Sequence, residues 1–158
     1  MSDDILDLYV KYFKKAMQEI SSELLGIGFK ESINLDKELY ENKKKFDIIV
    51  GITGDYKGRF LLETTEMTAR IISEVMNYGP LDKESDLYLY MGEFVNILSG
   101  RAITFINNLD NGKIVRLTPP AIFTGVNLEI STPNIKRSNI VFIRNKIQIR
   151  LDIGLEGV

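Results

Sequence analysis

Glu93 and Asn96 are the residues of this chain best suited to chemistry. They stand three apart in the stretch Tyr-Met-Gly-Glu-Phe-Val-Asn-Ile-Leu-Ser-Gly-Arg-Ala, residues 90–102. On a helix that spacing makes their side chains neighbours on one face. The carboxylate can pair with a partner's cation. The amide donates and accepts hydrogen bonds, so it can hold a water in place. It takes no proton at neutral pH, so its chemistry is orientation, not general-base catalysis. Glu-x-x-Asn occurs three times, at Glu31/Asn34, Glu74/Asn77 and Glu93/Asn96. The first lies in an expected loop, and Asn77 reads as a C-terminal cap. Only the third is placed mid-helix.

Two choices around that pair are unfavourable for a helix. Asparagine competes for nearby backbone groups. A mid-helix glycine costs roughly 1 kcal/mol relative to alanine, and Gly100 sits one turn beyond Asn96. Broken local rules mark functional surfaces. Gly92, Ser99 and Gly100 are expected to let a partner approach closely.

The elements that must position the pair follow from periodicity. At 100° per residue, Leu87, Met91, Phe94, Leu98, Ala102, Phe105 and Leu109 fall within about 80° of arc. Glu93, Asn96, Gly100 and Thr104 fall on the opposite side. The helix is expected to start at Asp82 or Ser85 and run to Leu109. A first helix is expected over residues 4–25, with Ile5, Leu8, Tyr12, Ala16, Ile20 and Leu24 inward and only Glu19 breaking the stripe. Residues 30–45 read as a loop or irregular strand. The run Lys43-Lys44-Lys45 reads as a solvated turn. Phe46, Ile48, Val50 and Ile52 alternate with polar and small residues, a strand. Residues 54–58 turn the chain into a second strand, 59–63. Thr64 or Thr65 then caps a helix with Met67, Ile71, Val75 and Met76 inward, ended by Gly79-Pro80. Asn111-Gly112 is a turn. Further strands are expected over 113–117, 126–130, 138–144 and 146–153. The fold class is an α+β two-layer domain spanning 1–158, with long helices on one face of a mostly antiparallel sheet.

Composition narrows the chemistry. The chain has 158 residues, 44% hydrophobic and 27% charged, with a net charge of −2. That balance argues against nucleic acid as a partner. There is no cysteine and no histidine. Disulfides, thiolate metal sites, cysteine nucleophiles and imidazole bases are therefore excluded. No metal site of its own is expected. Asp55 and Asp86 are isolated acids that read as turn and helix-start residues. The acidic N-terminus is not a targeting peptide, and no apolar run approaches the ~20 residues that span a bilayer. A cytoplasmic protein without a membrane segment is the expectation.

Residues 93–102 resemble the Glu-x-x-Asn signature helix of the CheC/CheX/FliY phosphatases of bacterial chemotaxis. In that family the pattern is close to Glu-Leu-x-Asn-x-x-x-Gly-x-Ala. Gly54-Asp55-Tyr56-Lys57-Gly58-Arg59-Phe60 is similar to the family's Gly-x-x-x-Gly hairpin. Pro119-Pro120-Ala121-Ile122-Phe123-Thr124-Gly125 is similar to its Pro-x-x-x-x-Gly loop. The order and spacing hold across residues 46–155. A single motif points to the CheX branch, because CheC-type members carry two such helices. Glu19-Ile20-Ser21-Ser22 offers serine where a second asparagine would stand.

The resemblance implies a phosphatase that hydrolyses the phosphoaspartate of a CheY-type response regulator. By it, Asn96 holds the attacking water and Glu93 pairs with the regulator's lysine. The chain binds no cofactor of its own; magnesium comes with the regulator. Catalysis by positioning suits phosphoryl transfer, whose transition state is loose. The resemblance also implies a homodimer joined at sheet edges, with the C-terminal strands as candidates. The alternative is a non-catalytic module that binds a regulator or a flagellar-switch component through the same helix. No constellation supports a small-molecule enzyme.

Overall fold

The computed structural model describes residues 2–109, 112–131 and 134–158, with side chains from residue 5 onward. The expected turn at Asn111-Gly112 lies partly outside the described residues. The elements run α1 (Ser2–Ile20), a π-helical turn (Ser21–Leu25), β1 (Lys30–Ser32), α2 (Lys37–Tyr40), β2 (Lys45–Gly54), β3 (Gly58–Thr65) and α3 (Glu66–Met76). Then follow α4 (Ser85–Asn107), β4 (Val115–Leu117), β5 (Ala121–Gly125), β6 (Lys136–Arg144) and β7 (Ile147–Leu155). Among the described residues no helix is long and apolar enough to cross a membrane.

The strands form one antiparallel sheet in the order β1-β6-β7-β3-β2-β4, with β5 also on β2. Alternation sends Phe46, Ile48, Val50 and Ile52 of β2 to the helix side, where all are buried. Phe60 and Leu62 of β3 and Ile149, Leu151 and Ile153 of β7 join them. The helices lie on this face, as the two-layer expectation requires. The opposite face is partly covered by the segment around α2. Gln148 holds that segment, accepting from the Asp36 amide at 2.8 Å and donating to its carbonyl at 3.0 Å.

The β2–β3 turn needs Gly58. A Cβ there would lie 2.0 Å from the carbonyl oxygen of Gly154 on β7. Beyond β2, the edge is split. β4 pairs with Ile52–Gly54 and β5 with residues 45–49. Between them Thr118 takes over, its amide bonding Gly51 O at 3.0 Å and its hydroxyl accepting from the Gly51 amide at 2.8 Å. Pro119 and Pro120 then interrupt pairing, because neither has an N–H to offer.

Several expectations are corrected. The buried face of α1 is Leu6, Tyr9, Phe13, Ala16, Met17 and Ile20. Ile5 and Tyr12 pack only at its margin, and Leu24 is exposed. Helix α3 buries Thr68, Ala69, Ile72 and Ser73, packs Met76 at the core's margin as expected, and turns Met67, Ile71 and Val75 outward. Its cap is Thr65, whose hydroxyl accepts from the Thr68 amide. The strand expected over 126–130 lies instead at β5, because that segment is in register with β2. Residues 30–45 contain β1 and the single turn α2, capped by Asp36. β7 lies inside the sheet, so it offers no free edge.

Candidate functional site

Helix α4 is the platform. Its buried face is Leu87, Met91, Phe94, Val95, Leu98, Ala102, Ile103 and Ile106. Leu87, Met91, Phe94, Leu98 and Ala102 are where the sequence pattern puts them; Phe105 packs at the margin of the core. Full burial of that stripe against α1 and the sheet fixes the helix in rotation. Glu93 and Asn96 are consequently exposed together on the outer face, with Thr104 beyond them.

Polar contacts steady the platform along its length, and at its end Asn107 exchanges two hydrogen bonds of 3.0 Å with Val115 of β4. Near its start, Tyr90 donates its hydroxyl to Asn77 Oδ1 in the turn after α3. In the middle, Ser99 donates to the Val95 carbonyl at 2.7 Å. Further along, Arg101 reaches Glu23 at 2.8 Å and Glu19 at 3.4 Å, tying α4 to the end of α1. Glu19, the acid of the incomplete second motif, is thereby engaged in a structural ion pair.

The side chains of Glu93 and Asn96 have no hydrogen bond or ion pair among the described residues. An exposed, unpartnered acid and amide on a rigid helix are free to meet a partner. Built Cβ atoms on Gly92 and Gly100 meet nothing within 4 Å. Both glycines therefore leave open space beside the pair instead of serving tight internal packing. Ser99 does not share that face. It is 1% exposed with its hydroxyl already used, so it is a structural residue and not a contact for a partner.

The other Glu-x-x-Asn occurrences are not sites. Glu31 pairs with Lys14 at 3.0 Å on a short strand. Asn77 caps the end of α3, donating to the carbonyls of Gly79 and Pro80. No group of three or more His, Cys, Asp or Glu able to hold a metal occurs among the described residues.

The face carries one feature that the sequence reading missed. Leu89, one turn before Glu93, is 68% exposed in the same stripe. Its signal was available in the arc that holds Glu93 and Asn96, but an apolar side chain there looks like noise. Chemically, the site can orient and pair. Open to solvent, it cannot by itself exclude bulk water from a reacting centre, so the enclosing walls must come from whatever docks on it.

The model of the family "Chemotaxis phosphatase CheX" matches residues 46–144. Solved structures share the fold. A CheX from Desulfovibrio desulfuricans is 22% identical with a TM-score of 0.77, over 94% of this chain and 99% of that one. The CheX of a CheX–CheY–BeF3–Mg2+ complex from Borrelia burgdorferi is 19% identical with a TM-score of 0.73, over 94% and 97%. FliY from Thermotoga maritima is 16% identical with a TM-score of 0.64, over 96% and 88%. No curated protein matches the chain. The matched segment spans both strands of the central hairpin and the whole of α4, and on that match the chain belongs to the CheX family of chemotaxis phosphatases.

Proposed function

We propose that this chain hydrolyses the phosphoaspartate of a CheY-type response regulator, using Asn96 to orient the attacking water and Glu93 to dock the regulator's lysine. The observation that carries the reading is the unpartnered, exposed Glu93/Asn96 pair on α4, with open space at Gly92 and Gly100. The Borrelia relative, solved with CheY, BeF3 and Mg2+, supports the choice of partner.

In the reaction the water oxygen attacks phosphorus. The bond from phosphorus to the regulator's aspartyl oxygen breaks, and the leaving carboxylate stays on the regulator. The water's proton leaves with the phosphate. The transition state needs alignment and charge stabilisation more than a base. An amide that accepts from the water and donates to a phosphoryl oxygen supplies the alignment. Magnesium belongs to the regulator's acidic site. Pairing of Glu93 with a lysine fixes register, and partial desolvation at the contact strengthens it. Such a partner places the work in the cytoplasm. Sheet-edge pairing would give a homodimer; β1 covers only Val141–Ile143 of β6, which leaves the rest of that edge for a second copy.

The test is phosphate release from a phosphorylated CheY-type regulator encoded in the same genome, with magnesium. Wild type should accelerate release. Asn96→Ala should lose about 100-fold or more while still binding, the scale for removing one positioned polar group. A wild type that binds the regulator and leaves its decay rate unchanged would defeat the reading and leave a binding module.

A further inference from the structure

Ser85, Leu89, Glu93, Asn96 and Thr104 are exposed and run along one side of α4. At 100° per residue, Leu89, Glu93 and Asn96 fall within about 60° of arc. At a rise of 1.5 Å per residue, Leu89 stands about 6 Å before Glu93 along the axis and about 10 Å before Asn96. It is the one large apolar side chain on that line, and it is 68% exposed. Its neighbour Tyr88 is also exposed, but it lays its ring on Phe46 with centroids 5.4 Å apart. Leu89 has no comparable role, because the buried stripe through Met91 and Leu98 lies on the far side of the helix. The helix does not require it either, since lysine or glutamine would serve there equally well. A lone exposed leucine is ordinary; one in line with an unpartnered acid and amide has a use.

We infer that Leu89 is an apolar anchor for the receiver domain that Glu93 and Asn96 engage, and that it sets affinity and the choice of receiver while the pair sets register and rate. This rests on the phosphatase reading. The occupant follows from size. A specific interface covers about 800 Å² per partner, a patch roughly 30 Å across. A domain that brings its phosphoaspartate to Asn96 therefore covers Leu89 as well. An acid and an amide supply little of that area, so neighbouring side chains must supply the rest. Gly92 and Gly100 contribute none, and Cβ atoms built on them meet nothing within 4 Å. Leu89 thus stands up from the surface beside the pair. Covering it removes water next to Glu93, which strengthens the pairing of that carboxylate with a lysine. The leucine favours a receiver with an apolar surface facing it. A receiver with a charge at that place would lose hydration against a side chain that returns no hydrogen bond.

The test uses the full chain and a magnesium-loaded CheY-type regulator from the same genome. Binding of the beryllofluoride-activated regulator is followed by calorimetric titration, and phosphate release from the phosphorylated one by steady-state kinetics. Leu89→Gln keeps helix propensity and removes the apolar contact. It should melt with wild type and raise Kd and KM about five-fold or more, the level at which an interface residue matters. Its kcat should stay within two-fold. Leu89→Met, which keeps the apolar contact, should stay within two-fold of wild type in Kd. The loss in Leu89→Gln should be equal at low and high salt, whereas that in Glu93→Gln should shrink with salt as a charge pair is screened. Unchanged affinity in Leu89→Gln overturns the proposal. So does an equal loss in Leu89→Met, or a lower kcat at unchanged Kd. Wild type that binds without accelerating release sinks the phosphatase reading alone, and Kd still judges Leu89; wild type that does not bind sinks both.

Discussion

The Ser99 hydroxyl lies 2.7 Å from the Val95 carbonyl on the buried side of the turn that carries Asn96 outward. Ser99 and Asn96 lie only about 60° apart around the helix, yet Ser99 is buried and Asn96 is exposed, so the edge of the core runs between them. Ser99→Ala should leave regulator affinity and turnover within two-fold of wild type, because the hydroxyl never reaches the surface. Its cost should appear in a denaturant titration, at about 1 kcal/mol for one lost hydrogen bond. A large loss of affinity from this variant would restore Ser99 to the contact face.

Gly100 separates helix stability from docking. Gly100→Ala should stabilise the fold by up to about 1 kcal/mol, since alanine is the better helix former and its methyl meets nothing. Gly100→Phe should keep the same melting behaviour and weaken regulator binding at least ten-fold by occupying the space beside Asn96. Equal affinity for wild type and Gly100→Phe in a titration would show that no partner comes close there.

Asp47 should give the protein a pH-dependent stability. It is 1% exposed, and its Cα lies opposite that of Glu63 in the β2–β3 ladder. Burial, and then the nearby Glu63 charge, push its pKa from 3.8 up to about 7. The folded state therefore keeps a proton that the unfolded chain gives up. Stability should fall as pH rises from about 4 to about 7, with the loss complete above that. At ~1.4 kcal/mol per pH unit the loss is a few kcal/mol at most. Asp47→Asn should flatten this profile and be the more stable protein at pH 8, as read from chemical denaturation at several pH values. An unchanged slope would remove Asp47 as its source.

Gly58 should be intolerant of any side chain. A methyl there meets the Gly154 carbonyl oxygen at 2.0 Å, and that oxygen belongs to a central strand that cannot withdraw cheaply. Gly58→Ala should destabilise by about 1–3 kcal/mol, the usual range for forced overpacking. Gly92→Ala, with nothing near it, is the control; both are compared by thermal melting.

The long helix was legible because its two faces differ in kind. A stripe spaced by fours and threes faced one way, and Glu93, Asn96 and Gly100 faced the other. The fold class followed from alternation in β2 and β3 and from the hairpin after Gly54. The first helix was harder. Ile5, Leu6, Leu8, Tyr9, Tyr12 and Phe13 supply two overlapping apolar stripes, and only the helix and sheet packed beside them decide which is buried. Helix α3 misled outright. Ala69 and Ser73 let it sit close to its neighbours with Ile72 as its large buried residue, Met76 packs at the margin, and Met67, Ile71 and Val75 were left outside. Ser99 looked like surface because it is polar, yet a serine can satisfy its hydroxyl on the carbonyl four residues back and go inside. The strand expected over 126–130 has as much β propensity as β5; pairing with β2, a long-range contact, chose between them.

The interrupted edge beside β2 also limits growth. Thr118, Pro119 and Pro120 divide that margin into pieces of three and five residues, too short and too broken to template another chain. On the proposed dimer, a new strand would then be added on the β6 side. A sheet that accepts a neighbour on one margin only ends at a closed pair and cannot extend into a fibre. The two prolines leave that margin without the unbroken run of N–H donors that a further strand would need.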